Sequence, residues 1–171
     1  IAIRWLASGG KTRDIGYQEL SEASARFANA LQSLGIGPGD RVFSLLGRVP
    51  ELHMAALGTW KLKAVFCPLF SAFGPEPVKA RMLIAKPVAV VTTQRLFARK
   101  IAPILADLPF LKHAILTDGG AGGLDMASLM AGASSRFVIA PTAPEDLAIL
   151  HFTSGTTGRP KGAMLSHGNL R

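Results

Sequence analysis

Cysteine is nearly absent. Cys67 is the single one in 171 residues, so no internal disulfide can form and a reducing compartment is the simpler reading. Its neighbours Phe66 and Pro68 mark it as a buried structural thiol, because nothing nearby in sequence would lower its pKa. Long apolar runs are missing too. None approaches the ~18 residues that cross a bilayer, and the opening Ile1-Ala2-Ile3-Arg4 has no signal-peptide organisation. A cytoplasmic chain with no membrane partner is therefore expected. Acidic residues are few, 11 against 19 Lys and Arg, for a net charge of +8. The cations are scattered all the same: Lys61, Lys63, Lys79, Arg81, Arg95, Arg99 and Lys100 stand singly or in pairs, with few aromatics between them. That favours a solvated surface over a nucleic-acid stripe, so no nucleic-acid partner is expected. A longer parent chain carrying the compensating acids is a second source of the imbalance.

What is present suits a packed domain. Hydrophobic residues make up 49% of the chain and charged residues 18%, enough apolar material for a real core, which excludes disorder as the overall class. Glycine and proline, 18 and 11, follow no fixed period, which removes collagen-like and low-complexity readings. The chain lacks an initiator Met and stops at Asn169-Leu170-Arg171, where a helix would begin. Part of a longer protein is expected.

Helical and strand patterns alternate along the chain. Ile1 to Leu6 reads as an edge strand. Tyr17, Leu20, Ala23, Phe27, Leu31 and Leu34 recur at steps of three and four, one apolar helix stripe that Gly35 ends. Gly37 to Asp40 turns the chain into a strand, Arg41 to Leu46. Pro50 and Glu51 open a helix through Lys63, since proline costs no hydrogen bond there and the carboxylate meets the positive end of the dipole. The spacing then predicts strand Val65 to Leu69, helix Pro75 to Ile84, strand Val88 to Thr92, helix Gln94 to Asp107 and strand Ala114 to Thr117. Gly119 to Gly123 reads as a flexible turn before a short helix, Leu124 to Met130. No repeat beyond this alternation is visible. Because the strands are continuous apolar runs, the expected fold is α/β: a mostly parallel sheet covered by helices on both faces. Residues 1–132 form an alternating layer and 133–146 a connection, and 147–171 begin the next sub-layer.

The chemistry concentrates in residues 153–162, Thr-Ser-Gly-Thr-Thr-Gly-Arg-Pro-Lys-Gly, where ten positions hold four hydroxyls, three glycines and two cations. A strand, Leu147 to Phe152, precedes them, and a return strand, Ala163 to Ser166, follows. Glycines let backbone N–H groups converge on an anion, hydroxyls add short donors, and a lysine supplies charge that follows a moving phosphate. Gly155 and Gly158 are too close together for a Walker A loop, and Gly162 follows Lys161 where that loop needs Ser or Thr. The segment therefore reads as a phosphate-binding hairpin tip. A ligand-free surface hairpin is the competing reading, and ordinary tips are shorter and poorer in donors.

Leu150 to Leu170 resembles the signature phosphate loop of the adenylate-forming (AMP-binding) superfamily, which includes acyl-CoA synthetases, luciferases and the adenylation domains of peptide synthetases. The likeness extends upstream through Gly16 to Leu20, Leu34 to Val42 and Pro50-Glu51. Pro68 to Glu76, with Val78 and Arg81, is most similar to acetyl-CoA synthetases. The resemblance implies part of the large N-terminal domain of an AMP-forming acid–thiol ligase, with ATP, Mg²⁺, coenzyme A and a small carboxylic acid, acetate or another short-chain acid, as its partners. It also implies the rest of a parent chain, including a mobile C-terminal domain, without which the piece would not turn over.

By the same resemblance Lys161, with Thr153, Ser154, Gly155, Thr156, Thr157 and Gly158, holds the β- and γ-phosphates, Lys161 steadies charge on the departing pyrophosphate, and Thr156 helps hold Mg²⁺. Arg159 stands at a variable position and reads as solvated, adding at most long-range steering. His151, within a strand, and His167, in the turn after the return strand, read as structural rather than as general bases. The stretch matching Phe70-Ser71-Ala72 lies near the coenzyme A nucleotide in acetyl-CoA synthetases, with glycines where this chain has Ser71 and Ala72. Two other readings share the loop: an amino-acid adenylation domain that loads a carrier protein, and a non-catalytic nucleotide-binding module. A basic nucleic-acid binder comes last.

Overall fold

The computed structural model describes residues 1–7, 9–154 and 159–170. β1 (Ile3–Leu6) pairs antiparallel with β2 (Thr12–Ile15) in a small separate sheet. β2 has no sequence signature: Thr12, Arg13 and Asp14 are exposed and only Ile15 is buried. The register supplies what pattern does not, setting Arg4 opposite Asp14 with a two-pronged ion pair at 2.7 and 2.8 Å.

The main sheet is parallel from end to end except at one edge. α1 (Tyr17–Ser33), β3 (Arg41–Leu46), α2 (Pro50–Lys61), β4 (Val65–Phe70), α3 (Pro75–Ala85), β5 (Ala89–Thr92), β6 (His113–Leu116), β7 (Leu124–Asp125), β8 (Leu147–Ser154) and β9 (Pro160–Ser166) give the strand order β7-β6-β5-β3-β4-β8-β9. Only β9 runs antiparallel to its neighbour. The fold is thus the expected α/β class. The connection 133–146 leads into β8, which joins the same sheet beside β4 through the Phe66–Ile149 pair. Lys63 and Asp146 hold the end of that connection at 2.7 Å. Hydrogen bonding from Lys63 and from the Ala143 N–H keeps the Asp146 carboxyl below the usual carboxylate range.

Apolar clusters fill both faces of the sheet. On one, Phe27 and Leu31 of α1 pack with Val42, Phe66, Val91 and Ile115. On the other, Val78 and Met82 of α3 pack with Phe43, Leu45, Cys67, Val90 and Phe152. Adjacent residues of β3 serve opposite faces, as a strand covered on both sides requires. Ser44 in its middle is 1% exposed, and its hydroxyl has no hydrogen-bond partner among the described residues. Ser44→Ala is therefore expected to stabilise the protein by about 1 kcal/mol, since a buried hydroxyl without a partner costs desolvation with no return. A thermal unfolding midpoint below that of the wild type would contradict this.

Three segments depart from the pattern. The helix expected over Gln94 to Asp107 opens as α4 (Gln94–Leu96), widens into a π turn (Phe97–Ile101), where Ala102 N–H reaches the Phe97 carbonyl, and ends in a 3₁₀ turn (Ala102–Asp107). Pro103 explains the change, because it has no N–H to give the carbonyl four residues back and its ring crowds that turn. The short helix is shifted as well: Leu124 and Asp125 extend the sheet as β7, and α5 (Met126–Ala131) follows with Asp125 as its N-cap. The turn Gly119 to Gly123 is packed rather than loose. A Cβ on Gly120 would stand 2.8 Å from Gln94 Oε1, and one on Gly122 would stand 2.5 Å from Phe97 Cε1.

Candidate functional site

β8 and β9 form the hairpin that carries the phosphate-loop sequence. Their register sets Thr153 opposite Lys161 and Ser154 opposite Pro160. The return strand thus starts at Pro160, three residues before the position expected from the sequence. Proline is tolerated as the first residue of a strand on a sheet edge, where its missing N–H breaks no ladder. The correction matters for the lysine: Lys161 stands on β9 at the root of the loop, paired across the ladder with Thr153, instead of within the loop. Gly155, Thr156, Thr157 and Gly158 lie outside the described residues.

Alternation along the hairpin separates anchoring from exposed groups. Leu150 and Phe152 point into the core, where Phe152 meets Phe43 edge-on at 6.1 Å. Gly162 faces Phe152 in the ladder, and a Cβ there would stand 2.9 Å from Leu150 Cδ1. His151, Thr153 and Lys161 fall on the other face, all exposed. His151 therefore sits on the strand as expected. His167 lies in the 3₁₀ turn after β9 (His167–Leu170), its backbone N–H donating to the Asp146 carbonyl at 2.9 Å and its Nε2 buried without a partner among the described residues. Arg159 is exposed. Cys67 is fully buried in β4, and burial pushes its thiol up to about 12, which rules it out as a nucleophile at neutral pH.

A second constellation was not visible in the sequence. From β3 the chain passes to β4 on one side, then returns to β5 on the other, so β3 and β5 flank a topological switch point. The carboxyl ends of strands at such a point leave a crevice where ligands bind in open α/β sheets. Here that crevice is a pocket of about 490 Å³. Gly47 after β3, Ser71 after β4, Asp118 beyond β6, and Arg95, Arg99 and Lys100 of the segment after β5 line it. Asp118 is already engaged, its Oδ1 accepting the Gln94 N–H at 2.7 Å, and Thr93 Oγ1 accepts the Leu96 N–H at 3.2 Å. The remaining character of the wall is cationic. β8 runs parallel to β4, so the phosphate-loop hairpin leaves the sheet at the same end as this pocket. Sequence reasoning assigns Arg95, Arg99 and Lys100 to the solvated surface. The available signal was a pair of arginines four apart, directly after a strand and its capping Thr93.

The fold is that of an α/β domain with a parallel sheet, and comparison with known proteins gives its family. The model of the AMP-binding enzyme family matches residues 1–171, and the chain belongs to that family. Its relatives place it in the acyl-CoA synthetase branch. It is 37% identical to an acetyl-coenzyme A synthetase of Bacillus subtilis (strain 168) over 88% of its length and 27% of that protein. It is 33% identical to a 3-hydroxybenzoate–CoA ligase of Aromatoleum sp. (strain CIB) over 93% of its length and 30% of that protein. The crystal structure of a Brucella canis acyl-CoA synthetase superposes with a TM-score of 0.84 at 29% identity, covering 96% of this chain and 30% of that one. The chain thus spans less than a third of these relatives.

Proposed function

We propose that the full-length protein is an AMP-forming acyl-CoA synthetase acting on acetate or another short-chain acid. In the first half-reaction a carboxylate oxygen bonds to the α-phosphorus of ATP and the bond to the β-phosphate oxygen breaks, releasing pyrophosphate. In the second, the sulfur of coenzyme A bonds to the acyl carbon and AMP leaves. The observation that carries this reading is the Thr153–Lys161 pair. It brings the start of the hydroxyl- and glycine-rich segment and Lys161 together at the carboxyl end of the sheet. Lys161 and the donors of residues 153–158 hold the β- and γ-phosphates and stabilise charge on the pyrophosphate as it departs, by position and electrostatics alone. Magnesium enters as the ATP complex. The described residues offer no cluster of three His, Cys, Asp or Glu for it, and Thr156 is the position proposed to help hold it.

The switch-point pocket is proposed to take the nucleotide end of coenzyme A. Arg95 and Arg99 supply charge for its phosphates, and Ser71 belongs to the stretch that lies near that nucleotide in acetyl-CoA synthetases. This pocket favours free coenzyme A over a carrier-bound thiol. A tethered pantetheine arm brings one phosphodiester, whereas free coenzyme A brings a diphosphate and a further phosphate. The proposal of a short-chain acid is supported by the Pro68 to Glu76 stretch and by the 37% identity to the Bacillus subtilis acetyl-coenzyme A synthetase.

The test is acid-dependent exchange of labelled pyrophosphate into ATP by the full-length protein. Acetate or propionate should drive exchange at least tenfold faster than benzoate at equal concentration. Faster exchange with benzoate would overturn the choice of acid, and no exchange with any carboxylate would overturn the adenylation reading.

A further inference from the structure

The switch-point pocket is built from two segments far apart in sequence: the turn between β4 and α3, and the helical segment that starts at Gln94. Lys100 joins them. Its Nζ donates to the backbone carbonyl of Ser71, and the side chain is half-buried. Both ends of this bridge are anchored. On one side Phe97 and Ile101, which flank Lys100 on the π turn, are 6% and 0% exposed, and the backbone at Gly122 closes over the Phe97 ring. On the other, Phe73 stacks edge-on against Phe70 at 5.7 Å. The Arg81 guanidinium lies 4.2 Å above the Phe73 ring and donates to the Pro77 carbonyl at 2.7 Å. The turn 71–74 is thus held from its α3 side by Arg81 and from the pocket side by Lys100. Arg95 and Arg99, by contrast, are exposed.

We propose that Lys100 is a positioning residue for the coenzyme A half of the reaction, fixing the β4–α3 turn so that it forms one wall of the nucleotide pocket. It acts through Ser71, while Arg95 and Arg99 meet the phosphates. The proposal rests on the assignment of this pocket to the coenzyme A nucleotide. A lysine whose ammonium is spent on a backbone carbonyl contributes geometry, and losing a charge-assisted hydrogen bond of this kind changes binding by about tenfold or more.

The experiment compares full-length wild type with Lys100→Met, Lys100→Arg and Arg95→Ala/Arg99→Ala, reading three quantities. These are KM for coenzyme A and for 3′-dephospho-coenzyme A, acid-dependent pyrophosphate exchange, and amide hydrogen exchange across 70–74. Lys100→Met should raise KM for both thiols by about tenfold and to the same extent, speed hydrogen exchange at 70–74, and leave pyrophosphate exchange unchanged. Lys100→Arg should restore most of both losses. Arg95→Ala/Arg99→Ala should raise KM more for coenzyme A than for its dephospho form and leave hydrogen exchange at 70–74 as in wild type. If Lys100→Met instead erodes only the preference for the 3′-phosphate, Lys100 is a direct phosphate ligand and the positioning role falls. If Lys100→Met leaves KM unchanged while the arginine variant raises it, the bridge is irrelevant to binding and the proposal falls alone. If neither variant changes KM, the pocket assignment falls with it.

Discussion

Lys161→Ala in the full-length protein should slow acid-dependent pyrophosphate exchange by about 10²- to 10³-fold, the loss typical when one preorganised donor to a developing anion is removed. The expectation follows from where the lysine stands. It is on β9, opposite Thr153, on a ladder held to the core by Phe152 against Phe43, so its backbone is fixed before any ligand arrives. A cation carried on a fixed strand stays within reach of pyrophosphate as charge builds there, and its removal should fall on the rate of the first half-reaction more than on ground-state ATP binding. Lys161 is also exposed, so the variant should unfold at the wild-type temperature. Coupled assays separate the steps: supplied with synthetic acyl-adenylate and coenzyme A, Lys161→Ala should form thioester at close to the wild-type rate. Equal losses in both half-reactions would place Lys161 in something other than pyrophosphate stabilisation.

The parts of the molecule that were legible in the sequence are those whose signal is local. Val42 to Leu46, with Ser44 its one polar residue, and Val65 to Leu69 are apolar runs because each face of the central sheet is covered. Pro50 and Pro75 open their helices as N-terminal prolines do. The phosphate loop is a local signal too, ten consecutive residues with one chemical character. What was hidden depends on partners distant in the chain. β2 is a strand only because β1 lies beside it, and β7 has two residues, below any period that a pattern could show. The π turn follows from one proline acting on the turn before it. The cationic pocket is the clearest case, since its wall takes Gly47, Ser71, Arg95 and Asp118 from four separate connections. Each looks ordinary in its own stretch of sequence, and only the switch in strand order brings them to one end of the sheet. The strand pattern itself predicted a parallel sheet, and a crossover to the far side of β3 would have pointed to that crevice.

Gly58→Ala should lower the unfolding temperature by about 4–8 °C, against what helix propensity alone predicts. Glycine inside α2 costs roughly 1 kcal/mol relative to alanine, so on propensity the change would stabilise the protein. Packing reverses the sign. A Cβ on Gly58 would stand 2.8 Å from the Ser24 carbonyl oxygen and 2.8 Å from Phe27 Cδ1. The first obstacle is backbone of α1 and cannot swing aside. The second belongs to a ring that is 0% exposed and packed between α1 and the sheet. α1 and α2 would have to separate along their contact, and such overpacking costs about 1–3 kcal/mol. A cost near the upper end, less the roughly 1 kcal/mol gained in propensity, leaves a net loss of about 2 kcal/mol, which at about 2–4 °C per kcal/mol for a chain of this length gives the stated shift. Gly132 is the matched comparison: it caps α5 at φ −79°, with nothing within 4 Å of an added Cβ. Gly132→Ala should leave the unfolding temperature unchanged or slightly raised. The consequence reaches the site, because α2 begins at Pro50, three residues beyond Gly47 in the pocket wall. An α2 displaced from α1 should carry that wall with it, and Gly58→Ala should raise KM for coenzyme A even at temperatures where the protein remains folded. Wild-type stability together with wild-type KM would show that the α1–α2 crossing yields without strain and that the position of α2 does not govern the pocket.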